Sequence, residues 1–438
     1  MARLDRFMPV KEIAQIGAAI GREFSYELIA AVAPMPQTQL DDSLVRLSES
    51  GLALRRGTPP DAVYTFKHAL VQDAAYDSLL KSRRQELHAK IARVIEHRFA
   101  TVKVTEPEVL AHHFAEAGLA DAAIPLWQSA GELASKRWVL NEAISHLNRA
   151  LELVSALARS SQRDARELEL RRRLGPAWMT PKGWAAPEVW TSLHPALALA
   201  NSLEDRDARV HILGGLSTNV INQGRIAESL PAAQEALDLA TATGDPDLLI
   251  LGHAFVGNSR FFMGEFTEAL EHANNAVALY DAEKHRDRAD NFYHDGGRHL
   301  GHPTIWPGII RSISTWILGY PDRGLRPNDE NDAYARRRGQ PFDLGWVLTI
   351  GVRDFDNSFA HEDLHKRAEE CERLGRENSL PVLWAFFAPS THGLALIREG
   401  KAAEAIALLK AGISFWEASG GKKRLPILKA RSWPKGWR

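Results

Sequence analysis

One recurring spacing constrains this chain more than any other feature. A Gly is followed four positions later by an acidic or Ala residue, and eight positions beyond that by a small one. Gly224, Glu228 and Ala236 set the pattern, and Gly264, Glu268 and Ala276 repeat it 40 residues on. Gly400, Glu404 and Gly412 show it again, Gly118, Ala122 and Ala130 fit it, and Trp138, Glu142 and Ala150 keep its second half. The spacing predicts a helix–turn–helix unit. The Gly ends the first helix in a left-handed conformation that costs it little. The small residue lies on the second helix, where the two cross too closely for a large side chain. Bulky apolar residues follow four positions later at Tyr280 and Trp416.

This is the tetratricopeptide (TPR) pattern, with a period near 40 instead of the usual ~34. It predicts a mostly all-α chain built as a TPR-like α-solenoid. Apolar residues three and four apart, as in Leu87, Ile91, Val94 and Ile95, agree. Thr105-Glu106-Pro107-Glu108 reads as a helix start, with a capping residue and Pro in the first turn. The segment after Gly319 departs from the pattern. Gly324, Pro327 and Asn331 stand where helix formers and a small residue belong, and Pro327 is expected to break the second helix near its start.

The first hundred residues read differently. Thr38-Gln39-Leu40-Asp41 is a capping-box pattern opening a short helix to Glu49, and Gly51 ends it. Leu52–Arg55 and Val63–Phe66 are strand-like runs around a Gly57-Thr58-Pro59-Pro60-Asp61 turn. Helices, one hairpin and then a long helix describe a small winged-helix domain. The expected domains are 1–104, a winged helix with its following long helix; 105–419, the repeat array, degenerate around 320–340; and 420–438, a disordered basic tail.

Composition narrows the function. With 54 basic against 55 acidic side chains the chain is no basic nucleic-acid coat. Its single cysteine, Cys371, excludes an internal disulfide and a multi-cysteine zinc site. No run reaches the ~18 apolar residues of a membrane-spanning helix, and Lys11 and Glu12 interrupt any signal-peptide core. These features predict a cytoplasmic protein with no membrane partner.

Several segments resemble one bacterial family. They are Ile20-Gly21-Arg22-Glu23-Phe24, the run from Phe66 through Lys67-His68-Ala69-Leu70 to Tyr76, Leu110-Ala111-His112-His113-Phe114, Ala130-Gly131, the run from Lys182-Gly183-Trp184 to Val189, His294-Asp295, and Leu318-Gly319-Tyr320-Pro321-Asp322. That family joins an adenylate/guanylate cyclase domain, a signalling ATPase of the STAND or AAA type and a TPR array in one polypeptide. The likeness covers most of residues 1–419. No G-x-x-x-x-G-K-[ST] occurs, nor an α/β segment that would present paired carboxylates to two metal ions. The resemblance therefore implies the C-terminal part of such a protein, whether a separate gene, a split gene or a truncated product. ATP or ADP would enter only if an ATPase core were supplied. The implied role is signal transduction without catalysis: a protein or peptide partner on the concave face of the array, and an upstream ATPase or cyclase module.

The resemblance also marks His68. Such ATPases often carry a His at the start of a winged-helix-domain helix, touching the β-phosphate of ADP and holding the protein off. The plainer reading, a His that caps or packs at a strand-to-helix junction, is preferred with no ATPase core in the chain. The rival function is a DNA-binding regulator using the 38–49 helix. That helix carries Asp41, Asp42 and Glu49 against Arg46 alone, which repels phosphate. Lys81, Arg83 and Arg84 on the next helix read as a solvated helix end or a domain contact.

His294, Asp295, His299 and His302 are spaced irregularly among Gly296, Gly297 and Pro303 and read as a loop. His112 and His113 are neighbours on a helix and are not expected to share a ligand, so neither a metal nor a catalytic residue is assigned. Trp178, Trp184 and Trp190 read as core first and as a binding surface second. Cys371, between acidic residues, reads as inert. After the last repeat no further pair follows. Ile406, Leu409, Ile413 and Trp416 are therefore expected to leave an uncapped apolar strip.

Overall fold

The computed structural model describes residues 8–137, 139–281, 302–353 and 361–421. The first elements are α1 (Met8–Ile20), β1 (Glu23–Ser25), α2 (Tyr26–Val32), α3 (Gln37–Glu49), β2 (Ala53–Arg56), β3 (Val63–Phe66), α4 (Ala69–Asp77) and α5 (Lys81–Arg98). Then come α6 (Val102–Thr105), α7 (Pro107–Glu116), α8 (Ala120–Lys136), α9 (Leu140–Ser155), α10 (Ser161–Lys182) and α11 (Pro187–Ser202). The remaining helices pair as α12 (Arg206–Asn222) with α13 (Ser229–Thr243), α14 (Pro246–Met263) with α15 (Phe266–Leu279), α16 (Ile305–Ile317) with α17 (Pro321–Arg338), α18 (Pro341–Arg353) with α19 (His361–Glu377), and α20 (Ala388–Arg398) with α21 (Ala402–Ala418). A π-helical turn, Leu383–Phe387, leads into α20.

The chain divides into two compact units. One is Met1–Gly131 with His146–Leu157, and the other is Glu132–Ser145 with Ala158–Arg438. The division does not fall at the expected 104/105 boundary, because Leu110, Ala111 and Phe114 of α7 belong to the core of the first unit.

In the first unit the strands form one antiparallel sheet in the order β1-β3-β2, with Phe24 opposite Tyr64 and Ala53 opposite Phe66. Phe24, Tyr64 and Phe66 send their rings into a core with Ile13, Ile16, Leu44 and Leu47. Gly17 lets Phe24 lie against α1, since a Cβ there would stand 2.6 Å from the ring. The expected capping box is not used. Pro36 caps α3 instead, its φ fixed at −59° and its carbonyl accepting from the amides of Gln39 and Leu40. Thr105 likewise gives no cap: Glu106 occupies the N-cap of α7, and Pro107 begins the helix.

The second unit is the helical-repeat array. Each described pair packs as neighbours, and α12, α14, α16, α18 and α20 also touch in succession, forming one row. The turn glycines behave as the spacing requires. Gly224, Gly264, Gly319 and Gly400 have φ of 79°, 83°, 97° and 78°. Ala236 and Ala276 are fully buried. Asp205 and Asp245 cap α12 and α14 with their side chains.

The 320–340 segment corrects the sequence reading, for α17 runs unbroken through Pro327. A helix-interior Pro removes one hydrogen bond, and close packing on α16 offsets that loss. Gly324 sits where a Cβ would be 2.9 Å from the Ser312 carbonyl, and the Ser312 hydroxyl donates to the Gly324 carbonyl. The small residue has also changed helix. Gly308 on α16 admits Asn331 from α17, whose amide donates to the Ile305 carbonyl at 3.0 Å.

Candidate functional site in the helical array

The site begins where α10 ends. Gly183 takes φ 88°, and Pro187 starts α11. Between them Trp184, Ala185 and Ala186 are buried, at 5%, 2% and 1% exposure. Their carbonyls are read by two amide side chains one turn apart, Asn219 in the last turn of α12 and Gln223 at its C-cap. Asn219 Nδ2 donates to the carbonyls of Trp184 at 2.6 Å and Ala186 at 3.2 Å. Gln223 Nε2 donates to the Ala185 carbonyl at 3.3 Å and to Asn219 Oδ1 at 3.0 Å, which fixes the Asn219 amide. Three successive backbone carbonyls are thus held by side chains, on a turn that the Ala186 amide closes by donating to the Gly183 carbonyl at 3.1 Å.

The Trp184 ring enters an aromatic box. Its centroid lies 5.8 Å from Phe342, 5.9 Å from Trp346, 6.3 Å from Phe387 and 6.3 Å from Trp416. The rings continue from Trp346 to Trp306 at 5.3 Å and from Trp306 to Phe262 at 6.2 Å, stacked. Trp306 Nε1 donates to Asn258 Oδ1 at 2.8 Å, whereas Trp346 Nε1 is buried with no acceptor. An amide pair, a box of rings and one free indole N–H suit a neutral turn that carries a large side chain.

This arrangement corrects the expectation of an uncapped last repeat. A Cβ on Gly183 would meet Ser419 Oγ at 2.8 Å, and one on Gly420 the Ala185 carbonyl at 3.1 Å. Trp416 stacks on Phe386 at 4.8 Å. The end of α21 therefore abuts residues 183–186. Its outer strip remains open as expected, with Ile406 52% and Ile413 39% exposed. The tail 422–438 lies outside the described residues.

The other candidates separate cleanly. His68 is exposed at the N-cap of α4, and its side chain makes no capping bond. On α3, Asp41 accepts from Tyr26 Oη at 2.7 Å, and the exposed face holds Asp42, Val45, Arg46 and Glu49. Arg83 pairs with Glu86 and Glu12, and Arg84 with Asp77 and the Leu79 carbonyl, so these two cations serve helix ends and neighbours. His294, Asp295 and His299 lie outside the described residues. His302 is buried, with Nδ1 at 2.9 Å from Thr304 Oγ1 and Nε2 at 3.1 Å from Tyr280 Oη. Trp190 stacks on His194 at 4.9 Å, and Lys182 lies over the Trp178 ring at 5.5 Å. Burial, with Glu370 and Glu372 alongside, pushes the Cys371 thiol up to about 12. Burial and the neighbouring imidazoles push His88 down to about 4 and His113 to about 3.

No family model matches the chain. An uncharacterized protein of Rhizobium meliloti (strain 1021), R02095, is 23% identical over 327 residues, covering 73% of this chain and 30% of that protein. The chain thus spans less than a third of that relative's length. Among solved structures, the Rap conjugation gene regulator of the plasmid pLS20 in complex with the Phr* peptide aligns with a TM-score of 0.53. Identity is 11%, over 94% of this chain and 95% of that one. A Rap protein complexed with Competence and Sporulation Factor gives 0.52 at 13% identity, over 94% and 99%. The chain shares the helical-repeat, TPR-like fold of these proteins.

Proposed function

We propose that the chain is a non-catalytic interaction scaffold whose array binds a protein or peptide segment in cytoplasmic signalling. The observation that carries this reading is the Asn219 and Gln223 clamp on three successive carbonyls beside the box that holds Trp184. The chain's own 183–186 segment stands where a partner's would. The complex of the Rap conjugation gene regulator with the Phr* peptide supports peptide recognition as a use of this fold.

The element order α1-β1-α2-α3-β2-β3 and the sheet order β1-β3-β2 support a winged-helix reading of the first unit. In that reading, exposed His68 and Leu70, the latter 80% exposed, face an upstream ATPase or cyclase module. Any nucleotide chemistry belongs to that module. A DNA-binding regulator is disfavoured by the acids on the open face of α3.

Hydrogen exchange of the full chain tests whether the 183–186 segment is a displaceable occupant. Amides of 184–189 should exchange at least about tenfold faster than those of α12 and α14, through local opening. Asn219→Ala should accelerate them further. Exchange of 184–189 only at the rate of those helices would make the segment permanent core.

A further inference from the structure

We propose that His88, His112 and His113 form a binding site for a divalent transition-metal ion of the zinc type in the first unit. His88 comes from α5, and His112 and His113 from α7, which packs on α5. Each imidazole offers a nitrogen, and the three lie within 4.8 Å of one another. His88 and His113 are each 1% exposed, while His112 is exposed. Sequence spacing misses this grouping because adjacent residues diverge on a helix; His88, from a second helix, is what draws the two rings together. The ring centroids of His88 lie 5.7 Å from His112 and 5.1 Å from His113.

The His88–His113 pair is close to the spacing of a bound ion, and the set as a whole, within 4.8 Å, must close by up to about 1.5 Å. His88 Nδ1 and His113 Nδ1 are 2.8 Å apart, a hydrogen bond in the metal-free chain. A tetrahedral zinc ion with bonds of ~2.0–2.1 Å holds its ligand nitrogens ~3.3 Å apart. The two rings need open by only about half an ångström. One Nδ1 proton must leave that bond, and it moves to Nε2 of the same ring. For His88 that nitrogen lies 3.0 Å from Tyr76 Oη, which accepts the N–H and orients the ring. No proton is lost from the imidazoles overall. The exposed side at His112 leaves the fourth position to water. Three imidazoles without a carboxylate select zinc, copper or nickel over magnesium or calcium.

Two other histidine pairs serve as internal controls. His253 with His272 and His365 with His392 each place Nδ1 atoms 2.9 Å apart. Among the described residues neither pair belongs to a three-residue ligand group.

The test uses the full chain, stripped of metal, with Co2+ as spectroscopic probe and Zn2+ in equilibrium dialysis. One equivalent of Zn2+ should bind, and Co2+ should give the visible d–d bands of a tetrahedral nitrogen site. His112→Ala, an exposed change that spares the core, should weaken binding by at least about tenfold. His272→Gln should leave it unchanged. Zn2+ should raise the thermal midpoint of the wild type and not of His112→Ala. Absence of stoichiometric binding, or wild-type affinity in His112→Ala, would overturn the proposal.

Discussion

Trp184→Ala should lower the stability of the array unit by about 3–5 kcal/mol, the range for truncating a buried large aromatic. The indole is 5% exposed and faces Phe342, Trp346, Phe387 and Trp416, rings that cannot collapse far into the space it leaves. The result should be an apolar cavity shaped for an indole. Free indole at ten times its dissociation constant should then restore about 1.4 kcal/mol. Urea unfolding of the variant with and without indole measures both effects. A loss below about 1 kcal/mol would mean that the ring is not packed as described.

Gly214→Val should also be strongly destabilising, by about 3 kcal/mol, at the upper end of ordinary overpacking. A Cβ at Gly214 would lie 2.0 Å from Cε2 and 2.1 Å from Cζ of Phe255, where α12 crosses α14. Phe255 is buried at 7% exposure and has little room to retreat. The double variant Gly214→Val with Phe255→Ala should lose less than the sum of the single changes, because the removed ring makes room for the added methyls. Strict additivity in urea midpoints would show that the crossing is not set by this contact.

The same crossing shows why the array was only partly legible in sequence. The turn glycines were readable because left-handed backbone restricts the residue type strongly, and Gly224, Gly264, Gly319 and Gly400 all adopt it. Gly214 and Gly215 lie inside a helix, where glycine normally costs ~1 kcal/mol against Ala, and nothing local signals why. Their reason is tertiary: Phe255 and Leu193 fill the space. Pro327 misled for the same cause, since Gly308 and Asn331 make a crossing that tolerates it.

The candidate site was less legible than the fold. Trp184 stood out as one of three tryptophans in a Pro- and Gly-interrupted stretch. Asn219 and Gln223 gave no signal except an amide pair four apart, among the other polar residues Ser217, Thr218 and Asn222 at the end of α12. What joins them to Trp184, and Trp184 to Trp416, is packing of the turn between α10 and α11 against the end of α12 and against α21, far away in sequence. Spacing along a chain does not encode such contacts.

Recognition of a peptide segment by the clamp and the box is the proposed function. It is tested most directly by a labelled synthetic peptide of residues 182–189, titrated in trans into the full-length chain. Trp184→Leu, with its fold verified by circular dichroism, vacates part of the box while keeping most of the packing. The peptide should bind this variant with a dissociation constant on the order of micromolar, about −8 kcal/mol. It should bind the wild type more weakly, because the tethered segment competes at high effective concentration. Adding Asn219→Leu to Trp184→Leu should abolish binding through loss of the carbonyl clamp. No binding to Trp184→Leu, or binding indifferent to Asn219→Leu, would contradict the account.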